Sequence, residues 1–404
     1  MTLIGNAVVA QSGGPTAVIN NSVCGVIQEW NKKGAPGKLF GARFGIKGVL
    51  GEELVALPST DDPFVTGLMH TPGAALGSCR HKIKDEQEYL DLINVFKKHN
   101  IRYFFLVGGN DSMDTCNKVY QLSHKVNYEM RVIGIPKTVD NDLPHTDHCP
   151  GYGSAAKYLA TTVMETGLDL RGIISNNKIV ILEAMGRHAG WLAAAGALAK
   201  REPNDAPHLI YLPEVAFSKE KFLQDVKTVY EQVGHVYIVA SEGLVDEHGN
   251  YVCADDKKDG FGHVQLGGLA DTLKSFIEAE MSVKVRCNIL GSSQRAAMHY
   301  ASLTDSQEAN MVGAEAVKLA VQGKSGLMVT LERDDTDGYK CSAGCVDLSK
   351  VANVEKTFPL EWITPEGNFV TEEFIKYALP LIQGEVHIPT KNGLPDFCSL
   401  KTAL

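Results

Sequence analysis

Three apolar runs, each broken by a glycine or polar turn, constrain this 404-residue chain more than anything else in it. Residues 6–10, NAVVA, lead into Gln11-Ser12-Gly13-Gly14-Pro15. Val18, Ile19, Val23, Val26, Ile27 and Trp30 then recur at helical spacing, with Thr16 as the expected N-cap and Gly34 as the terminator. Residues 102–107, RYFFLV, lead into Gly108-Gly109-Asn110-Asp111-Ser112 and an expected helix over 113–122. Residues 132–135 run to Pro136, which cannot donate to a sheet ladder, and Lys137-Thr138-Val139-Asp140-Asn141-Asp142 follows. Strand, polar turn and helix in alternation predict an α/β fold with mostly parallel sheets, whose ligands sit past the carboxyl ends of the strands. There the backbone N–H groups of a helix start favour an anion. One such turn alone would be an ordinary connection; three in succession point to a site.

The residue types at the third turn suit phosphoryl transfer. A cation can cancel charge that develops on phosphate oxygens, one carboxylate can take a proton from an attacking hydroxyl, and another can hold a divalent metal. The turns are neither GxGxxG nor GxxxxGK[ST], so dinucleotide and Walker labels do not apply.

The rest of the chain repeats the theme. Leu76-Gly77-Ser78-Cys79-Arg80 is another small-residue turn. A strand over 178–182 leads to Glu183-Ala184-Met185-Gly186-Arg187, and an Ala-rich helix is expected over 188–200. A strand over 236–240 ends in Ser241-Glu242-Gly243. A glycine-rich loop over 260–268 precedes a helix over 269–281, and a strand over 283–290 carries Arg286 and leads to Gly291-Ser292-Ser293-Gln294-Arg295. Helices over 151–166, 308–322 and 371–381 and a strand over 327–331 complete the reading. The length suggests two domains, 1–150 plus about 291–340 and about 151–290 plus part of 341–404, with the hinge over 144–153.

Composition excludes several classes. The chain is 44% apolar and 22% charged, which argues against disorder. A net charge of −9 argues against nucleic-acid binding and leaves any anionic substrate to locally clustered Arg and Lys. No signal-peptide pattern and no 18-residue apolar run is present, so a cytoplasmic protein without membrane association is expected. The nine cysteines read as free thiols. His145, Asp147, His148 and Cys149 lack helical ligand spacing and read as loop residues rather than a zinc site, and Cys341 and Cys345 have no second ligand pair close in sequence.

Taken in order, QSGGP, LGSCR, GGNDS, PKTVDND, EAMGR, SEG and LGSSQR resemble the phosphofructokinases over nearly the whole chain. The resemblance implies two Rossmann-like lobes with the site in the cleft between them, a donor-binding lobe and a sugar-phosphate lobe. It implies transfer of a phosphoryl group to the 1-hydroxyl of fructose 6-phosphate, with Mg2+. Position by position, Asp140 matches the base that takes the sugar hydroxyl's proton, and Thr138 and Asp142 match substrate and metal neighbours. Asn110 stands where relatives carry a metal-site aspartate and can still coordinate through its carbonyl oxygen. Gly13 and Gly14 match the donor-phosphate turn and Arg80 the donor-side arginine. Met185, Gly186 and Arg187 match the sugar-phosphate loop, Glu242 a carboxylate that accepts a sugar hydroxyl, and Arg295 a 6-phosphate ligand. Ser292 replaces a histidine or tyrosine, so its phosphate contact is shorter or water-mediated. Lys178 and Arg286 match basic positions that in bacterial relatives reach the neighbouring subunit's site, which implies a homodimer or homotetramer.

Asp111 with Lys137 resembles the pyrophosphate-dependent branch; ATP-using relatives commonly read GGDGS and PGTIDND. An aspartate in place of glycine fills the room an α-phosphate needs. Like charges about 4 Å apart repel by roughly 4 kcal/mol at an effective dielectric of about 20, on the order of a thousandfold in binding. Lys137 can stabilise the departing inorganic anion. An ATP-dependent 6-phosphofructokinase is the alternative. The tail beyond about Gly338 resembles that of the longer pyrophosphate-type proteins.

Overall fold

The computed structural model describes residues 3–83, 85–175, 178–258 and 264–398. Its contacts divide the chain into two compact units, Met1–Ser154 with Arg295–Glu355 and Gly384–Leu404, and Ala155–Gln294 with Lys356–Gln383.

The first unit is built on a seven-stranded sheet. Its order is Lys340–Asp347, Leu327–Asp334, Arg131–Pro136, Ile101–Gly108, Asn6–Gln11, Leu39–Ala42, Leu54–Ala56. The five inner strands run parallel and the two edge strands antiparallel. The apolar runs read as near-continuous because both faces are covered. Ala7, Val9, Tyr103, Phe105, Ile133 and Ile135 enter one core, and Val8, Ala10, Phe104, Leu106 and Val132 the other. The second unit holds a four-stranded parallel sheet ordered Val285–Ile289, Ile179–Ala184, Val236–Ser241, Leu209–Tyr211.

Several elements differ from the sequence expectation. The first helix runs Ile19–Lys32 behind Val18, so Thr16 caps nothing. The second begins three residues early, as Asn110–Lys125 with Gly109 as N-cap, and thereby takes Asn110 and Asp111 into its first turn. The Ala-rich stretch is only Trp191–Ala195 followed by a 3-10 turn at Gly196–Ala199. At its start the Glu214 carboxylate accepts the Gly190 N–H at 2.9 Å. The helix expected over 308–322 starts at Leu303, where Ser302 caps it. The helix at Glu86–Lys98, the strand at Leu209–Tyr211 and the helix at Lys219–Val233 carried no assignment from sequence. Residues 260–263 of the expected 260–268 loop lie outside the described residues.

The tail serves both units. Within the second, Phe358 and Trp362 meet Trp191 edge-on, with Trp191–Phe358 centroids 5.0 Å apart, Tyr377 meets it tilted, and Phe374 packs on Phe358. Glu214 Oε1 also accepts the Phe358 N–H at 3.0 Å, tying the tail to the sheet. Within the first, Val386 and Ile388 pack on Ala17, Val18 and Met298.

Two helices of the first unit touch backbone to backbone. A Cβ on Gly25 would lie 2.1 Å from the Asn310 carbonyl oxygen, and one on Gly313 would lie 2.0 Å from the Ser22 oxygen. Gly25→Ala must push the Ile19–Lys32 and Leu303–Val321 helices apart, and overpacking of this kind costs about 1–3 kcal/mol. Gly172, at the end of the Tyr152–Gly172 helix, has nothing within 4 Å of its Cβ position. Gly172→Ala should be neutral or stabilising by up to about 1 kcal/mol. Urea unfolding of the two variants beside the parent checks both signs.

Candidate active site

Because three parallel strands lie side by side, the turns after Gln11, Gly108 and Pro136 emerge together. The glycine turn is held from below by a buried pair. Gln11 Nε2 donates to Asn20 Oδ1 at 3.0 Å, and Gln11 Oε1 accepts the Leu76 N–H at 3.0 Å. Asn20 in turn binds the Thr71 carbonyl and the Ala75 N–H. The Gly13 N–H donates to the Cys79 carbonyl at 3.1 Å and Ser78 Oγ donates to the Gly13 carbonyl at 2.6 Å, so the 76–80 turn is stitched onto the first. Gly13 has φ +76°, the left-handed region that suits glycine. Gln11 and Asn20 gave no sequence signal, since a buried amide pair has no spacing of its own.

Three cations converge on this turn. Lys137, only 4% exposed, donates through Nζ to the Gly14 carbonyl at 2.9 Å. A Cβ on Gly14 would meet Arg295 Nη1 at 2.9 Å and Arg80 Nη2 at 3.8 Å. Burial pushes the Lys137 ammonium down to about 8; Asp140 and Asp142 raise it, and Arg295 and Arg80 lower it further. The place is suited to phosphate oxygens, which would restore the charge balance.

The Lys137–Asp142 stretch is pinned. Thr138 Oγ1 accepts the Asp140 N–H at 3.1 Å. Asn141 sits between the two aspartates at φ +55°, a conformation asparagine tolerates, and its Oδ1 accepts the Cys149 N–H at 2.9 Å. Asp305 closes the far end of the loop by accepting the Gly151 and Ser154 N–H groups at 2.8 and 2.9 Å. Asp140 is half-buried.

Asn110 Nδ2 donates to Asp142 Oδ2 at 3.0 Å. Asn110 Oδ1 is buried and receives no hydrogen bond among the described residues. An amide oxygen without a donor beside a carboxylate fits a hard, oxygen-seeking divalent cation. Asp111, one residue on, lies 3.4 Å from Lys82 Nζ, a residue the sequence reading did not select. Gly134 lets this helix approach the Arg131–Pro136 strand, since a Cβ there would strike Met113 Sδ at 2.3 Å.

In the second unit, Met185–Arg187 and Glu242 follow adjacent parallel strands. The Glu242 N–H donates to the Ala184 carbonyl, Ser241 Oγ donates to the Gly186 carbonyl at 2.5 Å, and the Met185 N–H donates to Gln294 Oε1 at 3.0 Å. Gly243 is required here: a Cβ would lie 1.9 Å from the Arg187 oxygen. Ser292, three residues past the Val285–Ile289 strand, is exposed at the same end.

Lys178 and Arg286 stand apart from this group. Both lie at the amino ends of strands, Lys178 just before Ile179 and Arg286 paired with Val180. At about 3.3 Å per residue that is roughly 20 Å from Met185. Arg286 is half exposed and 3.8 Å from Asp169.

The phosphofructokinase family model matches residues 6–320. Pyrophosphate--fructose 6-phosphate 1-phosphotransferase of Halomonas elongata is 44% identical over 401 residues, 98% of this chain and 96% of that one. The enzyme of the same name from Methylococcus capsulatus is 43% identical with the same coverage. A crystal structure of pyrophosphate-dependent phosphofructokinase from Marinobacter aquaeolei superposes with TM-score 0.89 at 44% identity, covering 98% of this chain and 95% of that one.

The buried ammonium makes anion capture pH-dependent. As pH rises through about 8, Lys137 in the free protein loses its proton and its attraction for phosphate oxygens. The affinity for an inorganic polyanion, measured by calorimetry, should fall across that range. Lys137→Met should bind weakly throughout and lose this limb of the profile.

Proposed function

This chain belongs to the phosphofructokinase family and is a phosphotransferase, and from that premise we propose that it moves a phosphoryl group from pyrophosphate to the 1-hydroxyl of fructose 6-phosphate, releasing phosphate. The observation that carries this reading is the cation cluster at the Gly13–Gly14 turn, with carboxylates placed just beyond it on one loop. Pyrophosphate and phosphate are of similar free energy, so the reaction runs in both directions.

Asp140 takes the proton from the sugar hydroxyl as it attacks. Lys137 and Arg80 face the donor's oxygens, and Lys137 neutralises the departing phosphate. Asp111 stands at the helix start, where an acidic side chain and its Lys82 partner occupy room that a nucleotide's inner phosphates would need. Thr138 fixes the backbone of the base. Asn110 and Asp142 would hold Mg2+, which supplies charge neutralisation on the phosphate oxygens when bound. Met185, Gly186, Arg187, Glu242 and Ser292 meet the sugar phosphate; Arg295, the family's 6-phosphate ligand, here also stands beside Arg80 at the Gly14 turn and so serves the donor side as well.

Lys178 and Arg286 act in the site of a second copy, in a homodimer or homotetramer. What supports this is their position at the amino ends of strands whose carboxyl ends carry the sugar-phosphate loop. A cytoplasmic setting fits the free cysteines, and among the described residues no helix is long and apolar enough to cross a membrane.

Purified protein with fructose 6-phosphate and Mg2+ is expected to turn over with pyrophosphate as sole donor and not with ATP. Turnover with ATP alone would overturn the donor assignment. Asp140→Asn should lose about 10²–10⁴ in kcat with KM little changed. Unchanged turnover would remove the base from Asp140.

A further inference from the structure

Beyond its site residues, the 137–151 loop carries a buried cluster that the proposed reaction does not use. His148, 1% exposed, has Nδ1 2.8 Å from Asp147 Oδ1 and Nε2 2.7 Å from Glu308 Oε2. Arg333 Nε lies 3.1 Å from the same Asp147 oxygen, and the Tyr339 hydroxyl donates to Glu308 Oε1. Cys341 completes the group: its sulfur, a Glu308 oxygen and a His148 ring nitrogen all lie within 4.8 Å of one another. The three residues come from a loop, the Leu303–Val321 helix and the Lys340–Asp347 strand. No spacing in the sequence could announce them.

We propose that His148, Glu308 and Cys341 form a transition-metal site suited to zinc. Imidazole nitrogen, thiolate sulfur and carboxylate oxygen are zinc's ordinary donors, at about 2.0–2.3 Å. Tetrahedral donors at those lengths sit roughly 3.3–3.8 Å apart, so the His148–Glu308 gap need open by only about 1 Å. Asp147 supplies the outer carboxylate that fixes the proton on Nδ1 and leaves Nε2 for the metal, and Arg333 holds Asp147 in turn. The Tyr339 oxygen or a water takes the fourth position.

The charges balance. Without metal, Asp147 and Glu308 face Arg333 and a doubly protonated His148. With metal, Asp147, Glu308 and a Cys341 thiolate face Arg333 and Zn2+, with His148 neutral. Two protons leave, one from Nε2 and one from sulfur, and the net charge of the pocket is unchanged. The partly exposed Cys341 is the side from which an ion enters.

The test is titration of the reduced, metal-stripped full chain with Zn2+ against a chromophoric chelator, and with Co2+ followed by absorbance. One equivalent of metal is expected, with a thiolate-to-cobalt band and tetrahedral ligand-field bands. Cys341→Ser should abolish the thiolate band and weaken zinc sharply. Cys345→Ser, on the same strand and exposed, should change neither. Asp147→Asn should weaken zinc by about 10–100-fold. Absence of a bound equivalent, a cobalt spectrum without a thiolate band, or equal zinc affinity in Cys341→Ser overturns the site. The wild-type cobalt spectrum decides even if a variant fails to fold, and none of these readouts depends on the phosphoryl donor.

Discussion

A lysine ammonium taken out of water and set against a glycine turn is the interaction around which the first unit's candidate site is arranged. Lys137 is buried, bonded to the Gly14 carbonyl, and shares its surroundings with two arginines. Burying an ammonium there is unfavourable for the protein alone, as the Lys137 pKa lowered chiefly by loss of water reports, with Asp140 and Asp142 offsetting part of the cost. The arrangement is maintained because the strands below it are parallel, adjacent and buried on both faces. On the proposed reading, the protein holds in advance the charge that a phosphate would otherwise draw from solvent, which is the preorganisation that phosphoryl transfer calls for.

Close backbone approach keeps that arrangement in place. Gly25 and Gly313 let two helices touch, Gly134 seats the helix that begins with Asn110, and Gly243 locks the Met185–Arg187 loop. Polar staples do the same for the loop after Pro136, through Asn141 at its middle and Asp305 at its end. His148, Glu308 and Arg333 extend these staples into the antiparallel edge of the sheet. A ligand bound there would act on the segment that carries Asp140.

Much of the candidate site's layout could be read from residue order. Parallel strands that end in glycine or carboxylate turns put chemistry at one edge, and the Lys137–Asp142 and Met185–Arg187 stretches are contiguous in sequence. What could not be read was local geometry set by distant partners. Thr16 looked like a helix cap, yet the backbone turns helical only after Val18. The Ala-rich stretch had every propensity for a long helix, yet it is helical only over Trp191–Ala195 and tightens to a 3-10 turn at Gly196–Ala199. Lys82 reached Asp111 across 29 residues without any pattern to mark it.

By itself, then, the sequence determined the α/β class, the strand ends that carry the candidate site and the family, because hydrophobic period and contiguous motifs are local properties. Only the tertiary structure decided which cations share the glycine turn, why the tail is needed to complete the aromatic core around Trp191, and that His148 meets Glu308 and Cys341. Those depend on residues far apart in the chain, brought together by sheet order and helix packing, and no local pattern encodes a meeting of that kind.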